Sequence, residues 1–105
     1  MQNKLALLIY PKAAQDMEEI FEYISEDLLS PKAAFDLIEK FNSGFDNIRF
    51  FPKSCPLTNN EAVQDKLIRK LIIENYIIFY RFNEEKNSIE IVRVLYGMSN
   101  WIDVL

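Results

Sequence analysis

Apolar and polar positions along the chain fall into a short strand, two amphipathic helices and three further strands. In residues 4–10, Leu5, Leu7 and Ile9 alternate with Ala6, Leu8 and Tyr10. Both sets are apolar, which predicts a strand buried on both faces, and Pro11 ends it. From Lys12 the period changes to that of a helix. Ala13, Met17, Ile20, Phe21, Ile24 and Leu28 form one stripe, and Gln15, Asp16, Glu18, Glu19, Glu22 and Glu26 form the solvent side. The stripe predicts a helix ending near Leu29. Ser30-Pro31 restarts the pattern: the serine is placed to cap the free N–H groups, and the proline suits a first helical position. Ala34, Leu37, Ile38, Phe41, Phe45 and Ile48 carry a second helix to about Phe50. A break this short folds the pair into an antiparallel hairpin.

Phe51-Pro52-Lys53-Ser54-Cys55-Pro56 reads as irregular, because each proline biases its predecessor away from helix. Residues 57–65 are a polar connection with a short helical turn expected around Glu61-Ala62-Val63. Three runs rich in β-branched and aromatic residues follow: Leu67–Glu74, Tyr76–Phe82 and Ser88–Tyr96. Gly97 closes the last run, and residues 99–105 suit one terminal helical turn. The order β-α-α-β-β-β predicts a single α+β domain over residues 1–105. In it, a helical hairpin packs on a mostly antiparallel four-stranded sheet.

Pairing Phe82 with Ile89 places Tyr80 opposite Ile91, Ile78 opposite Arg93 and Tyr76 opposite Leu95, all on one face. The other face then carries Ile77, Phe79, Arg81, Glu90, Val92 and Val94, with Arg81 opposite Glu90. Both faces are largely apolar, and two helices cover only one. Either a partner covers the second face, another protein segment or another copy of the chain, or the sheet curls and encloses both. The partner is the reading taken forward.

Composition narrows the chemistry. The 105 residues contain no histidine and one cysteine, Cys55. That removes Ser–His and Cys–His catalysis, His-ligated zinc and any internal disulfide. No metal or cofactor is expected. No apolar run approaches the roughly 20 residues that span a bilayer, and cytoplasmic location is the expectation. The formal net charge of −4 is uneven. Residues 1–65 carry six basic and eleven acidic side chains, net −5, and residues 66–105 carry six and five, net +1. Any anionic target is expected to meet the second half. Adjacent carboxylates such as Glu18-Glu19 and Glu84-Glu85 point apart and read as solvated. Cys55 has no activating neighbour. A group of cations, Lys66, Arg69, Lys70, Arg81 and Arg93, is interleaved with Tyr76, Tyr80 and Tyr96. Such a set could neutralise phosphates and stack on bases, or serve only ion pairing and sheet packing.

The run Leu67-Ile68-Arg69-Lys70-Leu71, then Asn75–Phe82, then Ile89–Gly97, resembles the RelE/ParE superfamily of bacterial toxins. The opening strand, Tyr10-Pro11 and the helix through Met17-Glu18-Glu19-Ile20 and Tyr23-Ile24 are similar to it as well. The resemblance implies the toxin of a type II toxin–antitoxin pair, silenced by an antitoxin in a hetero-oligomer. Tyr76, Ile78, Tyr80, Ile91, Arg93, Leu95 and Trp101 are the residues expected to meet that partner. RelE-like members cut messenger RNA on the ribosome with arginines and a C-terminal tyrosine. The corresponding positions here resemble Ile72, Ser99 and Leu105, which lack that chemistry. The ending Arg93-Val94-Leu95-Tyr96-Gly97, with Trp101 and Leu105, is similar to ParE-like members, which act on DNA gyrase. Those often carry basic residues after the glycine, where Met98-Ser99-Asn100 stand. The resemblance therefore implies gyrase inhibition by binding. One alternative is an endoribonuclease using a displaced set from Arg69, Lys70, Arg81, Arg93 and Tyr96. Another is a detoxified member that only binds antitoxin.

Overall fold

The computed structural model describes residues 4–105. The elements are β1 (Ala6–Ile9), α1 (Pro11–Glu22), α2 (Pro31–Phe50), β2 (Ile68–Ile73), β3 (Tyr76–Asn83) and β4 (Ser88–Tyr96). They form a four-stranded mixed sheet in the order β1-β4-β3-β2, with the two helices on one face. β1 runs parallel to β4, and β2, β3 and β4 form an antiparallel meander. The parallel pairing follows from the helical hairpin, which carries the chain back across the sheet before the meander begins.

Pro31 occupies the first turn of its helix as the sequence predicts, and Pro11, expected only to end the strand, opens the first helix in the same way. Ser30 stands before the second helix, but its hydroxyl makes no capping bond; its carbonyl accepts the Ala34 N–H at 3.1 Å. After Glu22 the first helix widens into a π-type turn over Tyr23–Asp27, closed by the Leu28 N–H on the Tyr23 carbonyl at 3.0 Å. Leu29 then takes φ 52°, a left-handed conformation, and reverses the chain. The expected helical turn near Val63 is a simple turn, with the Val63 N–H on the Asn60 carbonyl. The tail holds a 3₁₀ turn at Trp101–Asp103.

The core lies between helices and sheet. Ala13, Leu37, Phe41, Phe45 and Ile48 meet Ile78, Tyr80, Ile89, Ile91 and Val94, all essentially inaccessible. Gly44 brings α2 close to the sheet: a Cβ there would lie 2.5 Å from Ile73 Cδ1.

Four expectations are corrected. β1 is an edge strand rather than one buried on both faces, and Leu8 is half exposed. Asp16, assigned to the solvent side of the first helix, is buried. The register also changes along the last hairpin. Phe82 pairs with Ile89 and Tyr80 with Ile91 as expected, but Phe79 then pairs with Arg93, Ile78 with Val94 and Tyr76 with Tyr96. Val92 is the extra residue of a β-bulge, which moves Arg93 and Leu95 off the core face and puts Val94 in their place. An unbroken alternation would have driven a guanidinium into the apolar core.

The fourth correction concerns the second face. Phe79 is fully buried there, with the Trp101 ring 5.1 Å away, and Val63 of the connection before β2 is buried too. The chain's own tail and connection cover the centre of this face, while Ile72 at its β2 edge stays exposed.

Candidate functional site

A groove of about 900 Å³ lies between the first helix and the end of β4. Ile20, Tyr23, Ile24 and Leu28 line one wall; Asn75, Tyr76, Leu95, Tyr96 and Ser99 line the other. Tyr23, Leu28 and Tyr96 are about half exposed, although large and apolar. Tyr76 and Tyr96 form an edge-to-face pair with centroids 5.8 Å apart, and Tyr76 packs likewise against Phe41 below. Burial, and after it the Tyr23 and Tyr96 neighbours, raise the Tyr76 pKa above the ordinary tyrosine range. The ring therefore stays neutral and serves as an aromatic wall.

At the floor, Arg93 and Asp16 form a nearly buried ion pair. Arg93 Nε donates to Asp16 Oδ2 at 2.6 Å and Nη2 to Oδ1 at 2.9 Å. The Val94 N–H also donates to Oδ2 at 3.0 Å. Hydrogen bonding to Asp16, above all, raises the Arg93 pKa further. β1 leaves the sheet after Ile9, so this stretch of β4 has no strand beside it, and the carboxylate of α1 takes the bond a strand would have made. Reading the sequence for amphipathicity missed Asp16, because its neighbours in the helix are polar and solvated.

A second polar cluster gathers around Glu90, nearer the hairpin loop on the tail-covered face. Glu90 accepts from Tyr10 Oη at 2.9 Å, Arg81 Nη2 at 2.8 Å and Asn83 Nδ2 at 3.0 Å. The Asn83 bond, followed by those from Arg81 and Tyr10, lowers the Glu90 pKa against the opposing effect of burial. Arg81 is thus engaged opposite Glu90, as the pairing predicted.

Arg93 shares the groove with Tyr76 and Tyr96 at the open edge of β4, although the strand register assigns them to opposite faces. By the observed register, Lys70, Arg81 and Arg93 belong to the tail-covered face, and Tyr76, Tyr80 and Tyr96 to the helix-covered face. Arg69 shares the tyrosines' face and donates to the Cys55 carbonyl at 2.7 Å. Lys66 sits in the preceding loop on the Asn60 and Glu61 carbonyls. Tyr80 is fully buried, with its hydroxyl on the Pro52 carbonyl at 3.0 Å. Of the residues expected to meet a partner, Ile78, Tyr80 and Ile91 are core residues with no accessible surface. Tyr76, Arg93 and Leu95 line the groove, and Trp101 packs against Phe79. Exposed Ile72 lies on β2, where it has no polar chemistry to offer.

The family model described as the ParE toxin of the type II toxin–antitoxin system parDE matches residues 7–101. The chain belongs to the ParE toxin family. No curated protein sequence matches it. Among solved structures, this ParE toxin is similar to the chromosomal ParDE toxin–antitoxin system from P. aeruginosa. The TM-score is 0.71 at 19% identity, covering 89% of this chain and 96% of that one. It also matches the toxin–antitoxin complex RelBE2 from Mycobacterium tuberculosis, with a TM-score of 0.63 at 15% identity over 90% and 99% of the two chains. The E. coli toxin RelE, in a mutant form in the free state, gives a TM-score of 0.66 at 10% identity over 97% and 93%. At these identities the likeness carries the fold: two helices on a four-stranded mixed sheet. Among the described residues no helix is long and apolar enough to cross a membrane.

Proposed function

We propose that this ParE toxin is held inactive by a cognate antitoxin and acts, when released, by binding and inhibiting DNA gyrase. The solved relatives titled as toxin–antitoxin complexes support the antitoxin, and the family match supports the ParE-type target. One observation carries the choice of binding over RNA cleavage: two of the three arginines in the candidate nuclease set are already neutralised. Arg93 is paired with Asp16 and Arg81 with Glu90, each carboxylate nearly buried. Charge compensation of a scissile phosphate needs cations free to meet developing negative charge. Tyr80 is fully buried, Tyr76 and Tyr96 line the groove where Arg93 is held by Asp16, and the net charge of −4 opposes phosphate binding.

The test is controlled expression with two assays, gyrase supercoiling and messenger RNA cleavage at ribosomes. Growth arrest with blocked supercoiling and intact RNA is the expected result. Ribosomal cleavage that disappears in Lys70→Ala or Tyr96→Phe, which leave both buried ion pairs in place, overturns it. Normal growth with retained antitoxin binding would instead identify a detoxified member.

A further inference from the structure

We propose that the groove between the first helix and the end of β4 docks a partner segment carrying a lysine or arginine among apolar residues. The inference rests on the antitoxin reading above and specifies the chemistry of the segment that fits this toxin.

The apolar part of the occupant follows from exposure. The tail and connection cover the second face around Phe79, yet Tyr23, Leu28 and Tyr96 remain about half exposed around one concavity. A continuous apolar surface of this kind gains free energy when another chain covers it.

The basic part follows from charge complementarity. Among the described residues Arg93 is the groove's one cation and is engaged by Asp16; Glu19 on the same wall feels its charge but makes no ion pair, and its hydrogen-bond contact is Gln15 Nε2 at 3.0 Å. The imbalance is most pronounced along the first helix, although Glu39, Glu61, Glu85 and Asp103 elsewhere also lack an ion pair among the described residues. Asp36, Asp46, Asp65, Glu74 and Glu84 elsewhere each have a lysine or arginine within ion-pair distance. Along the groove-forming helix and its π-type turn, Glu18, Glu19, Glu22, Glu26 and Asp27 have none among the described residues; of these Glu19 lines the groove, and Glu18, Glu22 and Glu26 border a separate concavity. A cation entering the groove would also meet the tyrosine wall of Tyr23, Tyr76 and Tyr96, whose ring faces attract ammonium and guanidinium groups. An acidic segment would instead gather unpaired carboxylates around a desolvated surface, which discriminates against it.

The test uses the full chain and two designed helical peptides with the same leucine positions. One carries lysines at the remaining sites and the other glutamates. Calorimetry gives affinity, and backbone amide shifts give location. The lysine peptide is expected to bind at least about tenfold more tightly and to shift Tyr23, Leu28 and Tyr96. Glu19→Gln and Tyr23→Ser, both on exposed positions, are expected to weaken it several-fold with unchanged thermal midpoints. Equal affinities, no binding, or shifts confined to other surfaces overturn the proposal. So does self-association of the chain that Tyr23→Ser abolishes, since the occupant would then be a second copy. Growth arrest on expression is scored separately. Arrest with failed peptide binding counts against the groove alone, whereas peptide binding without arrest counts against the toxin reading alone.

Discussion

Asp16 completes the edge of β4 at Val94. Its carboxylate, from the second turn of α1, accepts the Val94 N–H at 3.0 Å while holding Arg93 at 2.6 and 2.9 Å. The bulge at Val92 sets this up by turning the Arg93 side chain away from the core and toward the helix. Removing the carboxylate strands a nearly buried guanidinium and an unpaired backbone donor together. Asp16→Ala is therefore expected to cost about 3–5 kcal/mol, read from the urea midpoint at constant m-value. Asp16→Asn keeps an acceptor for the Val94 N–H and is expected to lose less. Equal stabilities of Asp16→Ala and the parent would mean the pair does not hold the edge.

The Glu90 cluster makes stability depend on acid. Asn83, Arg81 and Tyr10 hold the Glu90 pKa below the ordinary 4.5 in the folded chain. The unfolded chain thus binds the proton more readily, and stability rises with pH across this window. The contribution is complete above the unfolded value and is lost as pH falls through the lower folded one. Glu90→Gln is expected to flatten this acid limb, below the ordinary carboxylate value, in urea titrations. An unchanged acid limb in Glu90→Gln would place the proton uptake elsewhere. Tyr80 acts at the opposite end: burial, above all, raises its pKa, so its contribution is complete below the normal tyrosine range and falls as pH rises through the folded value.

The reversal between the helices places Leu29 at φ 52° with its side chain 83% exposed. A leucine in the left-handed region brings Cβ against its own carbonyl, a strain of roughly 1–2 kcal/mol that glycine does not suffer. No buried surface is lost on shortening so exposed a side chain. Leu29→Gly is expected to raise the thermal midpoint by a few degrees, with part of the gain offset by the freer unfolded chain. A lowered midpoint would show that Leu29 makes a packing contribution larger than the strain.

The element order was legible in the sequence because each helix carries one unbroken apolar stripe and each strand is bounded by turn residues. Pro11, Pro31 and Gly97 fixed three of those bounds through backbone chemistry alone. The bulge was not legible, since Val92, Arg93 and Val94 fit the alternating pattern in either register. The role of Asp16 was hidden for a different reason: a carboxylate among Gln15, Glu18 and Glu19 reads as solvated until β4 is placed beneath it. The apolar first strand misled in the opposite sense. Its residues are as hydrophobic as those of a central strand, yet half of Leu8 faces solvent at the sheet edge. Arg81 and Glu90 were placed opposite each other correctly because they precede the bulge.

The tail gives the last prediction. Trp101 lies over Phe79, and Arg93 Nη1 lies 3.5 Å from the Val104 carbonyl, so residues 101–104 are docked on the face that the sequence left without a cover. Trp101 is the chain's one tryptophan, which makes its fluorescence a direct report of this docking. Its emission is expected to lie to the blue of free tryptophan in the folded chain and to shift red in the same transition that abolishes the β-sheet circular dichroism. Trp101→Ala removes only the partly exposed ring, so its cost falls below that of a fully buried aromatic, at about 1–3 kcal/mol. Phe79, inaccessible in the parent, would then become accessible to the apolar dye used to detect exposed core surface. A red emission maximum in the folded parent, or a Trp101→Ala variant of unchanged stability, would mean that the tail leaves the second face open.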